Sequence, residues 1–120
     1  MPWRVTVRTG PHVEKLRCDT LPEALDAVEE RARAAADGNG LHEIDLRVRR
    51  YKPEDQVKAR AELKGPQRLR PVIHAGIDVH GDGSVVAWSG GVRREHITMV
   101  GGETAYAALR RAVQSTRVEP

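Results

Sequence analysis

Residues 43–49 and 57–64 alternate apolar and charged side chains almost without interruption. Ile44, Leu46 and Val48 alternate with Glu43, Asp45, Arg47 and Arg49; Val57, Ala59, Ala61 and Leu63 alternate with Lys58, Arg60, Glu62 and Lys64. A helix would scatter either set around its circumference, whereas a strand, with its period of two, sends one set to each face. The pattern therefore demands a sheet with one buried and one wet face, as antiparallel sheets commonly have. Tyr51 to Asp55, with Pro53 inside, reads as a turn, so the two segments are expected to pair as a long hairpin.

The flanking sequence supplies the remaining elements. Trp3, Val5 and Val7 alternate with Arg4, Thr6 and Arg8 up to Gly10-Pro11, and His12 to Cys18 returns as a possible second strand with poorer alternation. Thr20 and Glu23 have capping-box spacing around a first-turn Pro22, ahead of the helical stripe Leu21, Leu25, Val28, Ala32 and Ala35. Gly38 is the expected stop. Val72 to Val79 form a further strand. If Asp82-Gly83 is a two-residue type I′ turn, Val79 lies opposite Val86 and Ile77 opposite Trp88 in the core, with Asp78 and His80 sharing the other face with Ala87 and Val85. Direct pairing across Gly90-Gly91 would set Trp88 opposite Arg93, so a bulge or longer loop is expected before a strand at 92–99. A closing helix over 103–115 turns Ala105, Leu109, Ala112 and Val113 inward. The expectation is a single α+β domain over 1–120, ordered β(β)αβββββα: an antiparallel sheet of five to seven strands, both helices on one face and the other face open.

Composition removes several classes of function. The 120 residues include one cysteine, Cys18, so no internal disulfide is possible. Met1-Pro2-Trp3 leads straight into a strand without a signal-like apolar run, and no stretch approaches the ~20 apolar residues of a spanning helix. A cytoplasmic protein without a membrane partner is expected. Arg outnumbers Lys 16 to 4 and Phe is absent, which fits GC-rich bacterial coding. The net charge of +3 is unevenly spread: residues 41–70 hold 9 basic and 5 acidic side chains, against 6 and 7 in 1–40 and 5 and 5 in 71–120.

No motif carries catalysis. Asp78-Val79-His80-Gly81-Asp82-Gly83 begins like a calcium loop, but its twelfth position is Ser89 instead of Glu, and strands flank it where helices are required. Asp78 and His80, with His74 further along, lack the spacing of a known metal site. Ala87-Trp88-Ser89-Gly90-Gly91 departs from the nucleophile elbow and enters a strand-to-strand turn. Cys18 has no local His and reads as a small buried hydrophobe. Gly-rich phosphate loops of the standard types are absent. No catalytic residue, metal, cofactor or small-molecule substrate is expected.

The wet face of the sheet is the remaining candidate. Arg4, Arg8, Arg47, Arg49, Lys58, Arg60 and Lys64 should project from it together, joined by Tyr51 and interrupted by Glu43, Asp45 and Glu62. Such a face can neutralise phosphates, and the scarcity of aromatic residues favours backbone or shape recognition over base stacking. Glu103-Thr104-Ala105-Tyr106-Ala107-Ala108-Leu109, after the final strand, resembles the closing helix of ribosome hibernation promoting factors, which carry an acidic residue, a Tyr and a following Ala at similar spacing. The resemblance implies the order strand, helix, strands, helix and binding to structured ribosomal RNA. The chain departs from that family in the extra hairpin at 72–89 and in having few basic residues on its helices. A non-catalytic module contacting nucleic acid, structured RNA first, is the leading expectation. The alternative is a protein-interaction or homodimer module that uses the same face or the outer strand edge.

Overall fold

Gly10 takes a φ of +58° and Pro11 a fixed negative φ, the signs of a type II′ turn, so the first two strands close as a tight hairpin. These are β1 (Trp3–Thr9) and β2 (His12–Cys18), paired from Thr9↔His12 to Trp3↔Cys18. The computed structural model describes residues 2–37, 57–66, 73–90 and 94–115. Within them α1 (Leu21–Asp37) is followed by β3 (Val57–Lys64), β4 (His74–His80), β5 (Val85–Ser89), β6 (Glu95–His96) and α2 (Ala105–Gln114). The six strands form one antiparallel sheet in the order β2-β1-β3-β4-β5-β6. The α+β architecture expected from the alternation is thus observed.

Both helices cover one face. Thr20 caps α1 by accepting from the Glu23 amide at 3.3 Å, while the Glu23 carboxylate accepts from the Asp19 amide at 3.3 Å. Its stripe, Ala24, Leu25, Val28 and Ala32, is buried against β1, β3 and β4. The helix α2 starts at Ala105, its Thr104 hydroxyl accepting from the Ala107 amide at 3.1 Å, and packs on β4 and β5 through Ala105, Tyr106, Ala108, Leu109 and Val113. Ala112, expected inward, is half-buried. The helices are clasped by Arg110, which bonds Asp26 at 2.7 Å and Glu29 at 3.3 Å, and by the Arg33 guanidinium 4.3 Å over the Tyr106 ring. No helix among the described residues is long and apolar enough to cross a membrane. Val5, Leu63, Ile77 and Val79 lie fully buried beneath the helices.

The face assignment of β3 holds from Ala59 onward: Ala59, Ala61 and Leu63 are buried, while on the opposite side Lys64 is exposed and Arg60, expected exposed, is half-buried; Lys58, at the bulge, is half-buried as well. Val57 departs from expectation at 45% exposure, because a bulge between Val57 and Ala59 breaks the register where the strand begins. The expected hairpin partner is also replaced. The edges of β3 are taken by β1, from Arg4↔Lys64 to Thr9↔Ala59, and by β4, so it does not pair with residues 43–49 there. Residues 43–49, with Arg47 and Arg49, lie outside the described residues, as does Tyr51.

The turn at Asp82-Gly83 is one residue longer than a type I′ hairpin. The His80 amide donates to the Ser84 carbonyl at 2.8 Å and the Gly83 amide to the His80 carbonyl at 2.9 Å, leaving Gly81-Asp82-Gly83 as a three-residue loop. Only Gly83 has positive φ, +88°, as in a turn followed by a left-handed bulge residue. The register becomes Val79↔Val85, Ile77↔Ala87 and Gly76↔Trp88. A one-residue slip exchanges the faces of a strand, so Trp88 leaves the helix side for the opposite face. Gly83→Val is expected to lower stability by ~1–3 kcal/mol through backbone strain. Its Cβ would meet only ordinary contact, 3.5 Å from the Ala36 carbonyl, so a urea midpoint equal to wild type would show that the left-handed residue is not required.

Beyond β5 the longer connection is found: Trp88 pairs with His96, not Arg93. Among the described residues the expected strand at 92–99 comprises Glu95–His96, and the Ile97 amide also donates to the Ala87 carbonyl at 2.8 Å.

Candidate functional site

Parity along each strand and register between strands build the outer face row by row. One row runs Arg17, Arg4, Lys64, His74, from β2 through β1 and β3 to β4. The next runs Lys15, Thr6, Glu62, Gly76, Trp88, His96, and the third runs Val13, Arg8, Arg60, Asp78, Val86. Adjacent strands are ~4.8 Å apart, so Arg17, Arg4 and Lys64 stand across roughly 10 Å.

The face divides into two halves of different character. At the β2-β1-β3 end, Arg4, Arg8, Lys15, Arg17 and Lys64 are exposed. Among the described residues Arg4, Lys15, Arg17 and Lys64 join no ion pair, and Arg8 reaches Glu62 only at 3.7 Å. Arg4 stands directly opposite a cation on both sides, an arrangement that destabilises a sheet.

At the β4-β5 end the charges are compensated. Arg60 donates to Asp78 from Nε at 2.6 Å and from Nη2 at 3.1 Å, and the Trp88 indole N–H donates to the same carboxylate at 2.9 Å. The bond to Asp78 outweighs burial and keeps the Arg60 guanidinium above its ordinary pKa. Glu62 meets His74 Nε2 at 3.0 Å, and the His74 ring stands edge-on to Trp88, centroids 5.2 Å apart. The Trp88 indole lies against Gly76, where a Cβ would sit 2.9 Å from its Cζ2. The Arg94 guanidinium lies 4.6 Å from the indole ring centroid. Trp88 is 1% exposed although it occupies the face away from the helices.

Of the residues singled out from sequence, the structure brings Arg4, Arg8, Arg60 and Lys64 to one face, while Lys58 falls at the bulge that opens β3. It separates them by role, because Arg60 is committed to Asp78 whereas Arg4 and Lys64 are uncommitted. Lys15 and Arg17 were missed, although pairing across Gly10-Pro11 sets them opposite Thr6 and Arg4. No protein-family model matches the chain, and no curated protein or solved structure matches it significantly.

The calcium-loop and nucleophile readings find no supporting geometry among the described residues. Asp78 is occupied as above, and Asp82 accepts from the Ser84 amide at 2.9 Å and hydroxyl at 2.6 Å. No group of three or more His, Cys, Asp or Glu side chains converges there as a metal site would require. Cys18 is buried at the edge of the core, and burial, then Glu23 and Asp19, push its thiol pKa up, away from the nucleophilic thiolate.

The helix layer mixes signs, since Arg33, Arg110 and Arg111 stand beside acidic side chains there. The exposed surface of α1 presents Glu23, Asp26 and Glu30, and its Arg31 is turned back to Glu14 on β2 at 2.8 Å.

Proposed function

We propose that this chain is a non-catalytic nucleic-acid-binding module that holds a phosphate backbone, of structured RNA in the first instance, on the outer face of β2, β1 and β3. The observation that carries this reading is the uncompensated row Arg17, Arg4, Lys64, backed by Lys15 and Arg8. A face that served solubility alone would intersperse signs, as the β4-β5 half does, and would gain nothing from opposed cations. A polyanion laid along the row turns that repulsion into attraction and releases counterions. No aromatic of the described outer face stands uncovered in the free protein, which favours a first contact through backbone and shape. The likeness of the closing helix to that of ribosome hibernation promoting factors points to the same ligand class.

Salt titration tests the reading. With five phosphates neutralised, log Kobs should fall against log salt with a slope near −4.5 for a duplex, so affinity should drop about 500-fold between roughly 50 and 200 mM. Arg4→Ala, Arg17→Ala and Lys64→Ala should each reduce the slope by about one unit on any sequence. Arg60→Ala should leave the slope unchanged, because that guanidinium already has its carboxylate. Absence of binding to structured RNA and duplex DNA near physiological salt would overturn the proposal. A monomer–dimer shift in the same variants, with nucleic-acid retention untouched, would favour a protein-interaction module.

A further inference from the structure

We infer that Trp88 is a stacking step covered by Arg94 in the free protein, and that it receives one unpaired nucleobase from a strand held on the cationic row. The step is useful only if that row binds a phosphate backbone, and in this respect it rests on the function proposed above.

Trp88 is the largest fully buried side chain, yet it lies on the face opposite the helices. Its surroundings fix the ring and bury it. Gly76 makes room against the strand, Asp78 anchors the indole N–H at 2.9 Å, and His74 stands perpendicular to the ring, at 86°. Arg60 is farther off, its guanidinium 5.8 Å from the ring centroid, and is held by Asp78. Arg94 differs from all of these. It is exposed, precedes the two-residue β6, joins no ion pair among the described residues and places its guanidinium 4.6 Å from the ring centroid.

Relative magnitudes decide what happens when a base arrives. A cation–π contact at an exposed site is worth roughly two- to fivefold in an equilibrium, whereas stacking a base on an aromatic side chain is worth roughly five- to 150-fold. The base therefore displaces the guanidinium from the ring, and the freed planar cation can lie on the base's outer surface or meet its phosphate. Lys64 on β3 and Trp88 on β5 are two inter-strand steps apart, roughly 10 Å, and one row, ~7 Å, apart along the strands, about 12 Å in all. Roughly three to four stacked nucleotides of one strand, at ~3.4 Å each, bridge that distance. The ligand class is thus a folded nucleic acid with an unpaired nucleotide beside its stem, in preference to a fully paired duplex.

Two measurements test the step. In the ligand-free protein, Arg94→Ala should raise acrylamide quenching of tryptophan fluorescence at an unchanged thermal midpoint, with core Trp3 as a constant background. Unchanged quenching would mean that Arg94 is not the cover, and the inference would fall. An RNA hairpin with an unpaired purine loop should then bind at least fivefold more tightly than a blunt duplex of equal phosphate count, and should quench wild-type Trp88 where the duplex does not. Trp88→Leu should abolish that preference while leaving duplex affinity and salt slope as in wild type; should this variant fail to fold, the wild-type quenching comparison decides alone. Equal affinity for the two RNAs, with the expected salt slope, overturns the stacking step and spares the cationic row. Binding of neither RNA overturns both.

Discussion

Replacing Gly76 with Ala is expected to destabilise the fold by more than about 3 kcal/mol, a large effect for a single added methyl group. A Cβ at this position would lie 2.5 Å from the Ala61 carbonyl oxygen, 2.9 Å from the Glu62 Cα and 2.9 Å from Trp88 Cζ2. The first two are backbone atoms of β3, which is paired on its other edge with β1, so neither can retreat without disturbing two ladders. The third belongs to a ring whose N–H is bonded to Asp78 and which stands perpendicular to the His74 ring. Relief would require β3 and β4 to part locally and Trp88 to leave its site together. Urea denaturation of the purified variant measures the loss, and a change below ~1 kcal/mol would show that the close approach of ring and strand is not needed for stability.

Asp78→Ala is the second large effect, roughly 2–3 kcal/mol. It would strand the Arg60 guanidinium and the Trp88 indole N–H, both of which use that carboxylate. Breaking a fully buried pair from one side removes ~3–5 kcal/mol, and the figure is lowered here because the Arg60 side chain is 28% exposed and water can partly replace its partner. Asp78→Asn should lose less, since an amide oxygen still accepts from the indole while the charge attraction to Arg60 is gone. Equal losses in the two variants would mean that the ion pair, and not the indole bond, carries the contribution of Asp78.

These two positions also mark where the sequence stops being readable. The alternation of Val5 and Val7, and of Ala59, Ala61 and Leu63, reports the buried face correctly because each of those strands lies under α1. Alternation reports faces and not neighbours, however, and nothing in the segment at 57–64 says that β1 and β4 flank it. In β5 parity itself is silent: Val85, Val86, Ala87 and Trp88 are all apolar, so either face assignment satisfies the pattern. The choice passes to the loop, and Asp82-Gly83 suits both a two-residue turn and the last two positions of a three-residue one. Hydrogen bonds from the His80 and Gly83 amides settle it, with Trp88 on the outside. At β2 the pattern failed for another reason. The strand lies at the sheet margin, so Val13 is 49% exposed on the outer face and Glu14, on the helix side, turns to Arg31. Its two outward cations were legible only through the hairpin register. Arg60 shows the same division: its face follows from parity, but its commitment to Asp78 depends on the register with β4.

The position of β2 at the margin bears on how two copies of this chain meet. One edge of β2 pairs with β1 and, among the described residues, the other carries no strand, which leaves a seven-residue template for further strand addition. Growth by a second copy about a two-fold axis normal to the sheet would pair β2 with itself. Centred on Lys15, that union sets Lys15 against Lys15; centred on Glu14, it sets Glu14 against Glu14; centred on Leu16, it brings Lys15 against Arg17. Each register with substantial overlap opposes like charges without altering the folded monomer, so the sequence of this strand discourages sheet-to-sheet fusion and the fibrils that grow from it.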